Sequence, residues 1–307
     1  MFEQLIRPPR LKKGDKVALI APSGALLYPQ RLDFAKKFLE DLELSAIVGQ
    51  SCKSQYGYLA GDDDLRANDI NWAFADKDIK GIFCIRGGYG AARILDMIDY
   101  HTIRNNPKFF AGYSDITALH TAINQKAGLM TYHMPMVCDG AFCKADEYTL
   151  DYFRKYIFSE SIQGEIQNPA GRKWEFLSPG KGEGRLCGGN LSVLTSLLGT
   201  HYEPNTVGKI IFLEDVGEPP YRIDRMLTQL RLAGKFDGCA GVVFGDFADC
   251  DAANSENSLS ISEIVNRLSL EVPVLFNFAC GHCMPTASLP LGAMAAINST
   301  ANSFVLC

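Results

Sequence analysis

Apolar residues in this chain gather in short continuous runs separated by longer stretches in which they recur every three or four positions. The runs at 16–21 (K-V-A-L-I-A), 45–48 (S-A-I-V), 81–85 (G-I-F-C-I) and 109–112 (F-F-A-G) predict strands. Residues 29–42, 62–75, 90–97 and 115–127 carry the longer period and predict helices. Strand followed by helix, repeated, predicts a parallel sheet with helices on both faces.

Near residues 168–184, N-P-A-G-R-K-W-E-F-L-S-P-G-K-G-E-G, the periodicity stops and Pro, Gly and charged residues take over, which predicts a linker or crossover. Beyond it, helical patterns near 191–198 and 222–233 alternate with the strand-like runs K-I-I-F-L-E, G-V-V-F-G-D and V-P-V-L-F-N. The expected fold is therefore α/β: an N-terminal parallel α/β sandwich domain over 1–167, a linker over 168–184, and a second, smaller C-terminal α/β domain over 185–307. No internal repeat or low-complexity tract interrupts it.

A length of 307 residues, 47% of them hydrophobic, is enough to bury a sizeable core. The net charge of −5 is spread among interspersed acids and bases, with no basic cluster interleaved with aromatics, so nucleic acid is not an expected partner. The opening M-F-E-Q-L-I-R-P-P-R lacks the pattern of a signal peptide, and no apolar run reaches membrane-spanning length, so no membrane partner and a cytoplasmic location are expected. The ten cysteines stand singly, mostly within apolar stretches, as buried reduced thiols do.

Candidate chemistry begins at G112-Y-S-D-I-T, where Ser114 follows a predicted strand and opens a predicted helix. Ligands gather at such strand ends in open parallel sheets. Gly112 permits a sharp turn, although Ile116 fills the second glycine position of the G-x-S-x-G elbow, so the match is half. The helix start after the serine supplies backbone N–H groups suited to an oxyanion. The competing role for Ser114 is an N-cap. A glycine loop, C84-I-R-G-G-Y-G, also follows a strand and would lie at the same sheet edge, its N–H groups facing a phosphate or an oxyanion; it lacks the full dinucleotide spacing. A third loop there, A21-P-S-G-A, places Ser23 in a turn.

In the C-terminal half, Glu214 ends an apolar strand, where a carboxylate seldom sits unpaired. His282 lies in an irregular loop, F-A-C-G-H-C-M-P, after another strand, whereas His120 and His133 have structural explanations. A serine needs a neutral imidazole to take its proton, and that imidazole needs a carboxylate to fix its tautomer; Ser114, His282 and Glu214 can fill these roles. Cys280 and Cys283 flank His282, but a single such pair makes a poor zinc or redox site, and no metal or cofactor is expected.

These segments together resemble the LD-carboxypeptidase, or muramoyltetrapeptide carboxypeptidase, family of serine peptidases. The resemblance runs through A-P-S-G at 21–24, I-R-G-G-Y-G-A-A-R at 85–93, G-Y-S-D-I-T-A-L at 112–119, G-G-N-L at 188–191, L-E-D-V-G-E-P-P-Y-R-I-D-R at 213–225 and G-H-C-M-P at 281–285. It implies Ser114 as nucleophile, His282 as general base and acid, and Glu214 as the orienting carboxylate. The Asp115 N–H and a glycine N–H of the Gly87–Gly88 loop, that of Gly88, are the implied oxyanion donors. It also implies an often paired chain, a homodimer, acting on murein tetrapeptides by releasing the terminal D-alanine during peptidoglycan recycling. Arg86 or Arg222 is a candidate clamp for the substrate carboxylate, and Tyr89 and Trp174 are candidate substrate walls.

Two other readings stand beside this one. A second branch of the family resembles microcin C immunity proteins, which cleave an amide joining an amino acid to a nucleotide analogue; the short loop around Trp174 offers no clear platform for a nucleobase. From a different class, the chain would be a nucleotide- or sugar-phosphate-binding α/β protein that uses the glycine loop as an anion nest.

Overall fold

A computed structural model describes residues 4–252 and 257–307. The chain divides into two compact units, Met1–Glu160 with Ser288–Pro290, and Ser161–Ala287 with Leu291–Cys307. Both are α/β, as expected, and among the described residues no helix is long and apolar enough to cross a membrane.

The first unit is built on β1 (Lys16–Ile20), β2 (Ser45–Val48), β3 (Ile79–Cys84), β4 (Phe109–Gly112) and β5 (Thr131–His133). They lie in the order β5-β4-β3-β1-β2, all parallel, and a strand from much later in the sequence, Leu289–Leu291, lies beside β5. Val17, Ala18, Leu19 and Ile20 are all wholly buried, which is why β1 reads as a continuous apolar run rather than an alternating one. The helices are α1 (Gln30–Asp41), α2 (Asp63–Ala75), α3 (Tyr100–Asn105), α4 (Thr117–Ala122) and α5 (Glu147–Phe158). Side chains of Asp62 and Asp146 cap α2 and α5 by accepting from the N–H groups of Leu65 and Thr149. Aromatic rings fill the core: Phe38 meets Phe142 and Phe153 edge-on at 5.0 and 5.4 Å, and Phe109 stacks on Tyr132 at 4.3 Å.

Two predicted helices are less regular than their periodicity suggests. Residues 90–97 form a 3-10 helix, Ala91–Met97, whose buried positions Ala91 and Ile94 are three apart and so fall on one side of that tighter winding. The segment predicted over 115–127 starts one residue earlier as a 3-10 turn, Ser114–Ile116, runs on as α4, and widens into a π turn, Ile123–Ala127, before Gly128 ends it in a left-handed conformation. Because β1, β3 and β4 are parallel, the loops that follow them open at one edge of the sheet.

The second unit holds β6 (Gly164–Ile166), β7 (Glu175–Ser178), β8 (Lys181–Asn190), β9 (Lys209–Val216), β10 (Gly241–Ala248), β11 (Val274–Phe276), β13 (Met294–Asn298) and β14 (Ser303–Leu306); the Leu289–Leu291 strand of the first sheet is β12. Their order is β6-β14-β13-β8-β9-β10-β11-β7, parallel across β8, β9, β10 and β11 and antiparallel outside them. Helices α6 (Leu191–Ser196), α7 (Pro220–Leu232) and α8 (Ile261–Arg267) cover a core of Leu191, Ile211, Leu213, Ile223, Leu227, Phe244 and Ile264.

Residues 168–184, expected as a linker, belong instead to this sheet: they contain β7 and the first residues of β8. The glycines that suggested a loop are there for close packing. A Cβ on Gly182 would overlap the Ala240 carbonyl and one on Gly184 the Gly208 carbonyl, so neighbouring backbone occupies the space of a side chain.

Candidate active site

Ser114 sits where β4 has ended and the chain turns toward α4, with φ of +61°. The left-handed region costs a non-glycine residue about 1–2 kcal/mol, and such strain persists only where the surroundings enforce it. The serine does not cap a helix. The cap positions of the 3-10 turn and of α4 are Tyr113 and Ile116, neither with a side-chain cap bond. Ser114 is half-buried.

Gly87 abuts this elbow. A Cβ there would lie 2.8 Å from both Cβ and Oγ of Ser114 and 3.5 Å from the Asp115 nitrogen, so only glycine lets the loop approach this closely. Gly88, with φ of +107°, is exposed and follows in the same turn. Gly87 thus brings the glycine loop beside both Ser114 Oγ and the Asp115 nitrogen, while Gly88 lies next to Gly24 of the first loop.

The side chain of Asp115 has a second task that the sequence did not disclose. Its buried carboxylate accepts hydrogen bonds from the Ser23 hydroxyl and, at 2.8 Å, from the Ala91 N–H. Burial raises its pKa above the usual aspartate value, opposed by those two hydrogen bonds and by the charge of Arg66. Arg66 is itself wholly buried; it donates to the carbonyls of Pro22 at 2.7 Å and Gly90 at 2.8 Å and pairs with Asp63. The available signal was its phase: Arg66 precedes Ile70 and Ala73 by four and seven positions on the buried stripe of α2.

In the second unit, the strand β9 carries Glu214 fully buried, and its Oε2 accepts a hydrogen bond from His282 Nδ1 at 2.7 Å. With Nδ1 donating to the carboxylate, the ring is fixed in the tautomer whose lone pair lies on Nε2, the atom that can accept a proton. Gly281, with φ of +124°, precedes the histidine; a Cβ there would lie 2.6 Å from Glu214 Oε2, so glycine lets the loop close onto the acid. The loop is tied further by the bond from the Gly281 N–H to Thr286 Oγ1. Neighbouring Asp215 is held by Asn190, Ser192 and its own strand, a role in building the sheet end.

The remaining candidates fall in different settings. Arg86 is half-buried beside the glycine loop, and its Nε is buried with no hydrogen-bond partner. Tyr89 is half-exposed and meets Tyr58 edge-on at 5.8 Å. Arg222 is paired with Glu218 at 3.3 Å on the surface of α7. Trp174 donates to Asn302 Oδ1 at 3.0 Å and packs 6.3 Å from Phe278, just ahead of β7. Burial raises the pKa of Cys280 and pushes that of Cys283 up to about 12, so both are thiols rather than thiolate ligands at neutral pH. Among the described residues no group of three or more His, Cys, Asp or Glu is arranged to hold a metal ion.

Known proteins give this geometry a context. Residues 17–134 match the LD-carboxypeptidase N-terminal domain and residues 183–297 the LD-carboxypeptidase C-terminal domain. A Bacillus subtilis protein described as a probable murein peptide carboxypeptidase is 41% identical over 315 residues, an alignment covering 100% of this chain and 96% of that protein. The solved structure of the microcin C7 self-immunity protein with aspartyl sulfamoyl adenosine is similar at a TM-score of 0.89 and 26% identity, with 97% of each chain covered. Muramoyltetrapeptide carboxypeptidase from Oxalobacter formigenes is similar at a TM-score of 0.82 and 27% identity, covering 95% of this chain and 97% of that one. With both halves matched and a relative this similar along its whole length, the chain belongs to the LD-carboxypeptidase family and is by kind a serine carboxypeptidase.

Proposed function

We propose that this protein removes the terminal D-alanine from murein tetrapeptides, with Ser114 as nucleophile, His282 as general base and acid, and Glu214 as the group that orients and charges the imidazole. The observation that carries the reading is the buried carboxylate bonded to Nδ1 of the loop histidine at 2.7 Å. A carboxylate so placed leaves Nε2 to accept a hydroxyl proton. The strained, uncapped Ser114 against Gly87 supports the assignment of the nucleophile.

In this mechanism Ser114 Oγ attacks the carbonyl on the L-centre of meso-diaminopimelate while His282 takes its proton. The tetrahedral oxyanion is held by the N–H groups of Asp115 and Gly88. Collapse breaks the C–N bond, and His282 gives its proton to the departing D-alanine amine. Water, deprotonated by the same imidazole, then hydrolyses the acyl-enzyme. Arg86 is the better candidate for the substrate's terminal carboxylate, because the guanidinium of Arg222 already has Glu218 as a partner.

Likeness to the immunity protein bound to aspartyl sulfamoyl adenosine supports a second reading, in which the same triad cleaves an amide between an amino acid and a nucleotide analogue. The test is to incubate the protein and Ser114→Ala separately with L-Ala-γ-D-Glu-meso-DAP-D-Ala and with an aspartyl sulfamoyl nucleotide, following products by mass spectrometry. D-alanine release by the wild type alone supports the carboxypeptidase. Cleavage of the nucleotide conjugate alone selects the second reading. Tight nucleotide binding without cleavage of either compound refutes both in favour of an anion-binding protein.

A further inference from the structure

The loops after β1, β3 and β4 are tied together by a polar cluster that neither the nucleophile nor the general base explains. Ser23 is wholly buried and donates to the Asp115 carboxylate. The same carboxylate accepts the Ala91 N–H at 2.8 Å. Arg66 reaches the same two loops from α2, donating to the carbonyls of Pro22 and Gly90. The Gly24 N–H donates to the Gly87 carbonyl at 3.0 Å and joins the first loop directly to the glycine loop. Burying a carboxylate and a guanidinium is costly unless each is well bonded, so such a cluster is a poor device for stability alone. What the cluster does specify is position. Each bond is to the backbone of, or to a residue within, one of the loops after β1, β3 and β4, and the second of these abuts Ser114 through Gly87.

We infer that Ser23, Asp115 and Arg66 form a positioning device that holds the glycine loop against Ser114, so that the N–H groups of Gly88 and Asp115 converge on the transition-state oxygen and not merely on bound substrate. Ser23 is the member that can be probed with least damage, since its hydroxyl is removed by a single-atom change in a turn. This inference rests on Ser114 being the nucleophile. It assigns no chemistry to the three side chains, which act through the loop backbone.

The test uses Ser23→Ala in the full chain, with three readouts. The first is steady-state release of D-alanine from the tetrapeptide. The second is affinity for a boronic-acid analogue whose boron replaces the scissile carbonyl carbon and forms a tetrahedral adduct with a serine. The third is affinity for intact tetrapeptide in the Ser114→Ala background, with and without Ser23→Ala. Positioning predicts that kcat falls by about 10- to 100-fold, the scale of a lost hydrogen bond to a charged group, with KM little changed. Adduct affinity should fall in proportion, while affinity for intact tetrapeptide stays the same. Unchanged kcat overturns the inference. So does a parallel loss of adduct and intact-substrate affinity, which is the signature of a cluster that only shapes the pocket. If Ser114→Ala alone still turns over tetrapeptide, the nucleophile assignment itself has failed, and that result is distinct from either.

Discussion

Replacing Glu214 with glutamine removes one charge and almost no volume. During serine attack the imidazole becomes imidazolium, and its charge is centred roughly 4 Å from a carboxylate that bonds Nδ1 at 2.7 Å and is shut off from water. Two unit charges about 4 Å apart at an effective dielectric near 20 attract by roughly 4 kcal/mol, which is about 10³-fold in rate. An amide also fails to fix the tautomer. If its NH2 turns toward Nδ1, the ring proton moves to Nε2, and the histidine can no longer take a proton from Ser114. Both effects oppose the same step, so kcat for Glu214→Gln should fall by about 10³- to 10⁴-fold, with a thermal midpoint close to that of the wild type. Steady-state D-alanine release and a thermal melt measure the two. A variant that keeps more than about a tenth of wild-type kcat would refute the orienting role of Glu214.

Ser114→Ala and Ser114→Gly should each lose about 10⁴-fold or more in turnover, while glycine, free of strain at φ of +61°, should be more stable than alanine by about 1 kcal/mol in a denaturant titration. Gly87→Ala drives a methyl group against Ser114 and should cut kcat by about 100-fold or more without unfolding the chain, as circular dichroism would check. His120 is wholly buried, its Nε2–H donates to the Gly112 carbonyl, and burial lowers its pKa to about 4. The unfolded imidazole takes its proton near pH 6.5, so the stability that neutral His120 contributes is full above that pH and is lost as pH falls toward about 4, by up to roughly 3 kcal/mol; His120→Gln should flatten unfolding free energy over that window. Because burial holds the Cys283 thiol up to about 12, iodoacetamide near pH 7 should leave Cys283 unmodified in a peptide map, and with no cluster of metal-ligating side chains among the described residues a chelator should leave turnover unchanged.

The sequence disclosed what local physics determines. Strands such as β1 and β9 are buried on both faces and so read as unbroken apolar runs, and an acid closing one of them, Glu214, stands out against that background. Ser114 was visible because a small residue two positions earlier and a helical pattern afterwards mark a sharp strand-to-helix turn. Features set by distant contacts were hidden. β8 reads as loop because its glycines answer to backbone carbonyls of residues far along the chain, Ala240 and Gly208. Strand β13 alternates buried and half-buried positions, but its small alanines blur the period. His282 and Glu214 are 68 positions apart, and nothing in the spacing of either reveals a 2.7 Å bond. Arg66 resembles an ordinary surface arginine until the loops it bonds are brought to it.

The central claim is that Ser114 is activated by His282, and covalent capture tests it most directly. A fluorophosphonate reacts fastest with a serine whose proton is being removed, forming an O–P bond as fluoride leaves. Peptide mapping by mass spectrometry should find the label on Ser114, at a rate that falls by about 10³-fold or more in His282→Ala. Labelling of a different residue, or of Ser114 at an unchanged rate without the imidazole, would contradict the account.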